Sequence, residues 1–196
     1  MTLDAEFQRL VGAGAQAVAR LSETELLARL IQGEPTPVVR HKALLVTTLL
    51  AEAGDVAAAQ DRTEESRECY LKALHLLLDT LARNDPFGCP EFVPKVEMLK
   101  AALAGKPLPA QTQGMLMQHY ERIGDFAQAE DALFALLEAE PDNAAIVEFG
   151  IEFYQRLLGQ SNATLAAANL PRAEVQEGLK ELQRRRSQRP DCKPGS

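Results

Sequence analysis

The stretch that most constrains the fold is 113–143, QGMLMQHYERIGDFAQAEDALFALLEAEPDN. It reads as a helix, a tight Gly-Asp corner and a second helix. In the second helix Phe126, Ala129, Leu133, Leu136 and Leu137 recur at intervals of three and four, which lines one helical face. Gln128, Glu130, Asp131 and Glu138 fall on the opposite face. Gly124 suits the left-handed conformation that ends a helix. Asp125 then caps the next one, with Gln128 completing a box-like pair. Pro141 closes the unit, because the residue before a proline is driven out of helical geometry. The first helix is expected to turn Leu116, Tyr120 and Ile123 inward. Two helices this short cannot bury their apolar faces alone, so the pair must stack on further helices.

The spacing resembles the tetratricopeptide repeat, a helix pair of about 34 residues. Leu116, Tyr120, Ala129, Leu133 and Pro141 stand at matching positions. Gln113 replaces the repeat's aromatic residue and Met117 its small glycine, which implies different packing between the two helices. The segments PEFVPKVEMLK, LLAEAGD…CYLKALHLLLD and LPRAEVQEGLKEL extend a resemblance to an uncharacterised bacterial family of tetratricopeptide-like proteins over most of residues 22–184. The resemblance implies an all-α fold of antiparallel helix pairs stacked as a short solenoid. It implies no activity for any residue.

The rest of the chain fits that reading. Ala and Leu supply 59 of the 196 residues, both strong helix formers. Leu3, Phe7, Leu10, Val11, Val18 and Leu21 predict a first amphipathic helix, softly interrupted at Gly12 and Gly14. Ser22 and Glu25 form a capping box for a short helix that ends at Gly33. Pro37 suits the first position of the next helix, with Thr36 as its cap. LLAEAGDVAAA (49–59) aligns without a gap on HYERIGDFAQA (119–129), so Gly54-Asp55 is expected to form a second corner like Gly124-Asp125. A long helix follows over 64–83, with Tyr70, Leu74, Leu77, Leu78 and Leu81 inward. Residues 84–94 form a loop, and a short helix ends at Gly105. Helix 144–158 buries Val147, Ile151, Tyr154 and Leu158. After a turn, Pro171 opens a last helix with Val175, Leu179 and Leu182 inside. One helical-repeat domain over 1–186, most repeat-like at 37–83 and 110–158, and a flexible tail over 187–196 are expected.

Charge and cysteine usage narrow the function classes. The net charge is −7, and residues 184–196 carry +4 of their own, so the remaining body carries −11. An acidic body argues against nucleic acid as the main partner. The start, MTLDAEFQ, lacks a basic n-region, and the longest near-apolar run, 43–51, is too short to span a bilayer. Cys69, Cys89 and Cys192 form no close pair, which suits a reducing cytoplasm. No membrane partner, cofactor or metal is expected. His41, His75 and His119 lack zinc-ligand spacing, and no nucleophile–base order or phosphate loop is present. The expected protein is therefore not an enzyme and has no catalytic residue.

Its expected role is a cytoplasmic interaction module, an adaptor or scaffold. In stacked helix pairs the concave face is lined by the first helix of each pair and binds extended peptides. Here that face consists of Gln111, Gln118, Glu121 and Arg122, with Glu148, Glu152, Gln155 and Arg156 on the next helix. Gly114 and Gln118 stand where the family's carboxylate clamp needs Lys and Asn, so that clamp is absent. Glu121, Glu148 and Glu152 favour a basic or amide-rich protein or peptide. Self-association is compatible with the same surface. The alternative is a small acidic chaperone for a secreted or assembly-prone protein, and a third reading places an enzyme pocket near 84–94.

Overall fold

The computed structural model describes residues 2–31, 33, 35–83 and 89–188, excluding the side chain of Glu23. Every regular element among them is a helix. The chain divides into two compact units, Met1–Leu108 and Pro109–Ser196.

The first unit is built on two long helices, α4 (Thr36–Ala59) and α5 (Thr63–Ala82), joined by a short turn and therefore antiparallel. Three short helices, α1 (Leu3–Val11), α2 (Ala15–Arg20) and α3 (Glu23–Ile31), pack on this hairpin, and α6 (Val96–Ala102) packs on α5. The core is Phe7, Val18, Leu26, Leu30, Leu44, Leu50, Leu74 and Leu77, all nearly inaccessible. The capping box at Ser22 forms as expected: Glu25 N–H donates to Ser22 Oγ at 3.2 Å, and Ser22 N–H to Glu25 Oε2 at 2.9 Å. The first amphipathic stretch is two helices rather than one. Gly12 adopts φ +74° and stops α1, and Asp4 of α1 caps α2 by accepting from Ala15 N–H at 2.9 Å.

A larger correction concerns Gly54 and Asp55. They form no corner, because α4 runs straight through them. The turn lies six residues on, where Asp61 takes φ +58° and Arg62 N–H closes on Ala57 O at 2.9 Å. Gly54 is needed for a different reason. A Cβ there would come within 2.9 Å of the Tyr70 ring, whose hydroxyl donates to Asp55. The Gly-Asp pair thus seats a tyrosine from the facing helix. On the same face of α5 as Tyr70, Arg67 donates to Leu103 O at 3.5 Å and Pro107 O at 2.8 Å, holding the segment at the end of this unit.

The second unit contains α7 (Ala110–Ile123), α8 (Phe126–Ala139), α9 (Ala144–Leu158), α10 (Asn162–Ala167) and α11 (Arg172–Gln188). Helices α7 and α8 form one pair and α9 and α11 another, with α8 also packing on α9. Gly124 has φ +82°, Asp125 N–H returns to Tyr120 O at 2.9 Å, and Asp125 Oδ1 accepts from Gln128 N–H at 3.4 Å. The predicted stripe of α8 is buried in full, as are Leu116, Met117 and Tyr120 of α7. Ile123 is not: it stays 60% exposed at the end of α7, and Phe126 fills the inside of the corner. Leu81, Leu158 and Leu179 are only half-buried, whereas Phe153 and Leu157 complete the core beside Tyr154. The turn before Pro171 holds α10, capped by Ser161 Oγ and closed at Asn169, which takes φ +54°.

Candidate functional site

Helix α9 is the axis of the second unit and packs on both α8 and α11. The sequence allows this close convergence at two glycines. A Cβ on Gly150 of α9 would lie 2.5 Å from Leu182 Cδ1 and 3.0 Å from Leu133 Cδ1, so those leucines meet over bare backbone. About one turn further along α9, Tyr154 is 1% exposed. Its ring lies on Gly178 of α11, where a Cβ would come within 2.3 Å of Cζ. Its hydroxyl donates to Glu130 Oε1 of α8 at 2.7 Å.

Above this tyrosine, α8 and α11 bound a cleft of about 500 Å³. Phe134 forms its α8 wall and is 42% exposed. Glu174 and Glu177 stand on the α11 rim, and among the described residues neither makes an ion pair. Glu181 is already engaged by Arg184 and by Arg185, the latter at 3.1 Å. Burial pushes the Tyr154 hydroxyl far above its usual range, and the Glu130 carboxylate adds to the shift. Burial also raises Glu130; the Tyr154 hydrogen bond opposes this, while the charges of Glu174 and Asp131 reinforce it. The site is an aromatic floor bordered by Glu130, Glu174 and Glu177, which make no ion pair among the described residues, and by Glu181, which does.

The face expected to bind is partly assembled. Glu121 and Arg156 meet in a bidentate pair, at 2.6 and 2.9 Å, that ties α7 to α9. The Glu121 hydrogen bond raises Arg156, with burial opposing it. Glu148 meets Arg186 of α11 at 3.4 Å. Gln111, Gln118, Arg122, Glu152 and Gln155 are exposed, and no hydrogen bond among the described residues joins them to the others. The cation that meets Glu148 comes from a different helix, 38 residues away in sequence.

The cleft was missed for a related reason. Phe134 lies off the apolar stripe of its helix, and Gly150 and Gly178 sit mid-helix where a glycine lowers propensity. An off-stripe aromatic with two interior glycines is the signal that marks it.

Among the described residues no three His, Cys, Asp or Glu side chains form a metal-sized group. Burial pushes the Cys69 thiol up to about 11, which makes it a poor nucleophile. Cys89 is exposed, and Phe92 sits edge-on to His41 at 6.4 Å. Residues 84–88, the expected centre of the loop pocket, lie outside the described residues, as do Cys192 and the expected tail from 189 on; Ser187 and Gln188 are the end of α11. No described helix is long and apolar enough to cross a membrane.

Residues 8–187 match a family of unknown function, DUF6483. The chain belongs to that family. Among curated proteins this DUF6483 member is similar to the cellulose synthase operon protein C of Pseudomonas fluorescens (strain SBW25), 26% identical over 163 residues. The alignment covers 75% of this chain but spans only 12% of that relative's length. No solved structure matches the DUF6483 chain.

Proposed function

We propose that this chain is a protein-interaction module of tetratricopeptide-like type, an adaptor or scaffold that holds a protein or peptide segment against its second unit. The observation that carries the reading is the α9-centred packing. Two helix pairs are joined through small residues, which leaves a cleft with an exposed aromatic and unpaired carboxylates on a rigid support. Rigid helical surfaces suit segment binding because little order is lost on association. The repeat-like corner at Gly124, with Leu116, Tyr120, Ala129 and Leu133 buried around it, supports the tetratricopeptide likeness. The similarity to a 12% stretch of a much longer curated protein is compatible with a module that also occurs within larger chains. With net charge −7, the partner is a basic protein segment rather than nucleic acid or an anionic membrane. A cytoplasmic setting fits three cysteines with no close pair in the sequence.

The acidic-chaperone reading draws on the same charge together with exposed apolar side chains such as Phe134 and Ile123. The two readings differ in the state of the ligand. Affinity capture from the native cell with cross-link mapping tests both. An adaptor returns a defined partner cross-linked to the second unit as a short segment. A chaperone returns a partner that stays soluble only in its presence. Absence of any reproducible partner under both formats overturns the module reading.

A further inference from the structure

We infer that the cleft over Tyr154, between α8 and α11, docks a basic peptide segment carrying an apolar anchor residue. This deepens the interaction reading above and rests on it. It also moves the contact away from the α7/α9 face, where the strongest charges already satisfy one another through Glu121–Arg156 and Glu148–Arg186.

The apolar part of the argument is geometric. Gly178 contributes no side chain, so α11 lies directly against the Tyr154 ring, and Phe134 borders the open cleft beside them. Phe134 presents its ring to that space on a helix whose other large apolar residues are buried. A space of about 500 Å³ accommodates a large side chain and its neighbours.

The polar part fixes the sign of the occupant. Among the described residues Glu130, Glu174 and Glu177 make no ion pair, and Lys180 offsets one of these three charges. A Lys or Arg beside the anchor reaches the rim carboxylates and can also lie over the Phe134 face. The body of a second copy, which carries −11 outside residues 184–196, is disfavoured by the same electrostatics.

The test uses the full chain and a dye-labelled synthetic peptide in which lysines flank a single phenylalanine, read by fluorescence anisotropy. Two control peptides replace the lysines with glutamate or the phenylalanine with alanine. The lysine–phenylalanine peptide should bind, and more weakly as salt rises. Glu174→Lys with Glu177→Lys should weaken it by at least about tenfold, as should Phe134→Ser. Glu148→Lys with Glu152→Lys makes the same change in net charge on the other face and should leave affinity within about twofold. Circular dichroism establishes that each variant is folded. Equal loss from both charge reversals would mean general attraction to an acidic protein and overturn the cleft. Loss confined to Glu148→Lys with Glu152→Lys would move the site to the α7/α9 face, overturning this inference while leaving the module reading intact. Binding of the glutamate peptide alone would do the same. A dimer in sedimentation that dissociates on Phe134→Ser would assign the cleft to a second copy and overturn the peptide. If none of the three peptides binds the wild-type chain, the inference fails, and the module reading then stands or falls on capture from the cell.

Discussion

At the scale of single residues, the glycines carry more of the architecture than their number suggests. Gly114 and Gly178 both sit inside helices, yet their substitutions should have opposite signs. A Cβ on Gly114 meets nothing within 4 Å, so Gly114→Ala should stabilise by about 0.5–1 kcal/mol through helix propensity. A Cβ on Gly178 collides with the buried Tyr154 ring, so Gly178→Ala should destabilise by about 1–3 kcal/mol. Denaturant unfolding of the two variants measures both. Glu130 supplies the pH dependence. Burial raises its carboxyl above the usual value, so the folded state holds the proton more tightly than the unfolded chain. The resulting stabilisation is fully present below the ordinary value of 4.5 and is lost as pH rises through the raised one. Glu130→Gln keeps an acceptor for the Tyr154 hydroxyl and carries no charge. It should therefore match or exceed wild-type stability at pH 7 and lose that part of the pH slope, as unfolding curves at several pH values would show.

At the scale of elements, helices were legible wherever periodicity and punctuation agreed. The α7–α8 corner, the Ser22 capping box and the inward face of α8 all follow from local rules of spacing and capping. Gly54 defeated the same rules because a glycine has two uses, and only the facing helix distinguishes them. At Gly124 it supplies a positive φ; at Gly54 it makes room for Tyr70. The cleft was invisible for a like reason, since its walls are 40 or more residues apart in sequence and meet only through Gly150 and Gly178. The two corners make this testable. Gly124→Val forces a β-branched residue into the left-handed region and should destabilise by about 1 kcal/mol or more. Asp61 is the residue that occupies that region between α4 and α5, so Asp61→Gly should be neutral or stabilise by about 0.5 kcal/mol. Thermal melts in which Asp61→Gly is strongly destabilising would show that the side chain, not the backbone, holds that turn.

At the scale of the whole molecule, each unit has its own buried centre. In the second it is Leu116, Tyr120, Leu133, Ile151 and Phe153, closed by Leu165 and Val175. Residues 109–188 expressed alone should therefore keep helical circular dichroism and melt cooperatively; a broad, non-cooperative transition would show that this core depends on the rest of the chain. The end of the first unit is one further place where a single side chain matters. Arg67 of α5 grips the carbonyls of Leu103 and Pro107, the latter two residues before the second unit begins at Pro109. In mechanical terms it is a strain relief. Tension applied along the chain at Leu108 should therefore pass to α5 through the guanidinium fork before it reaches the short α6.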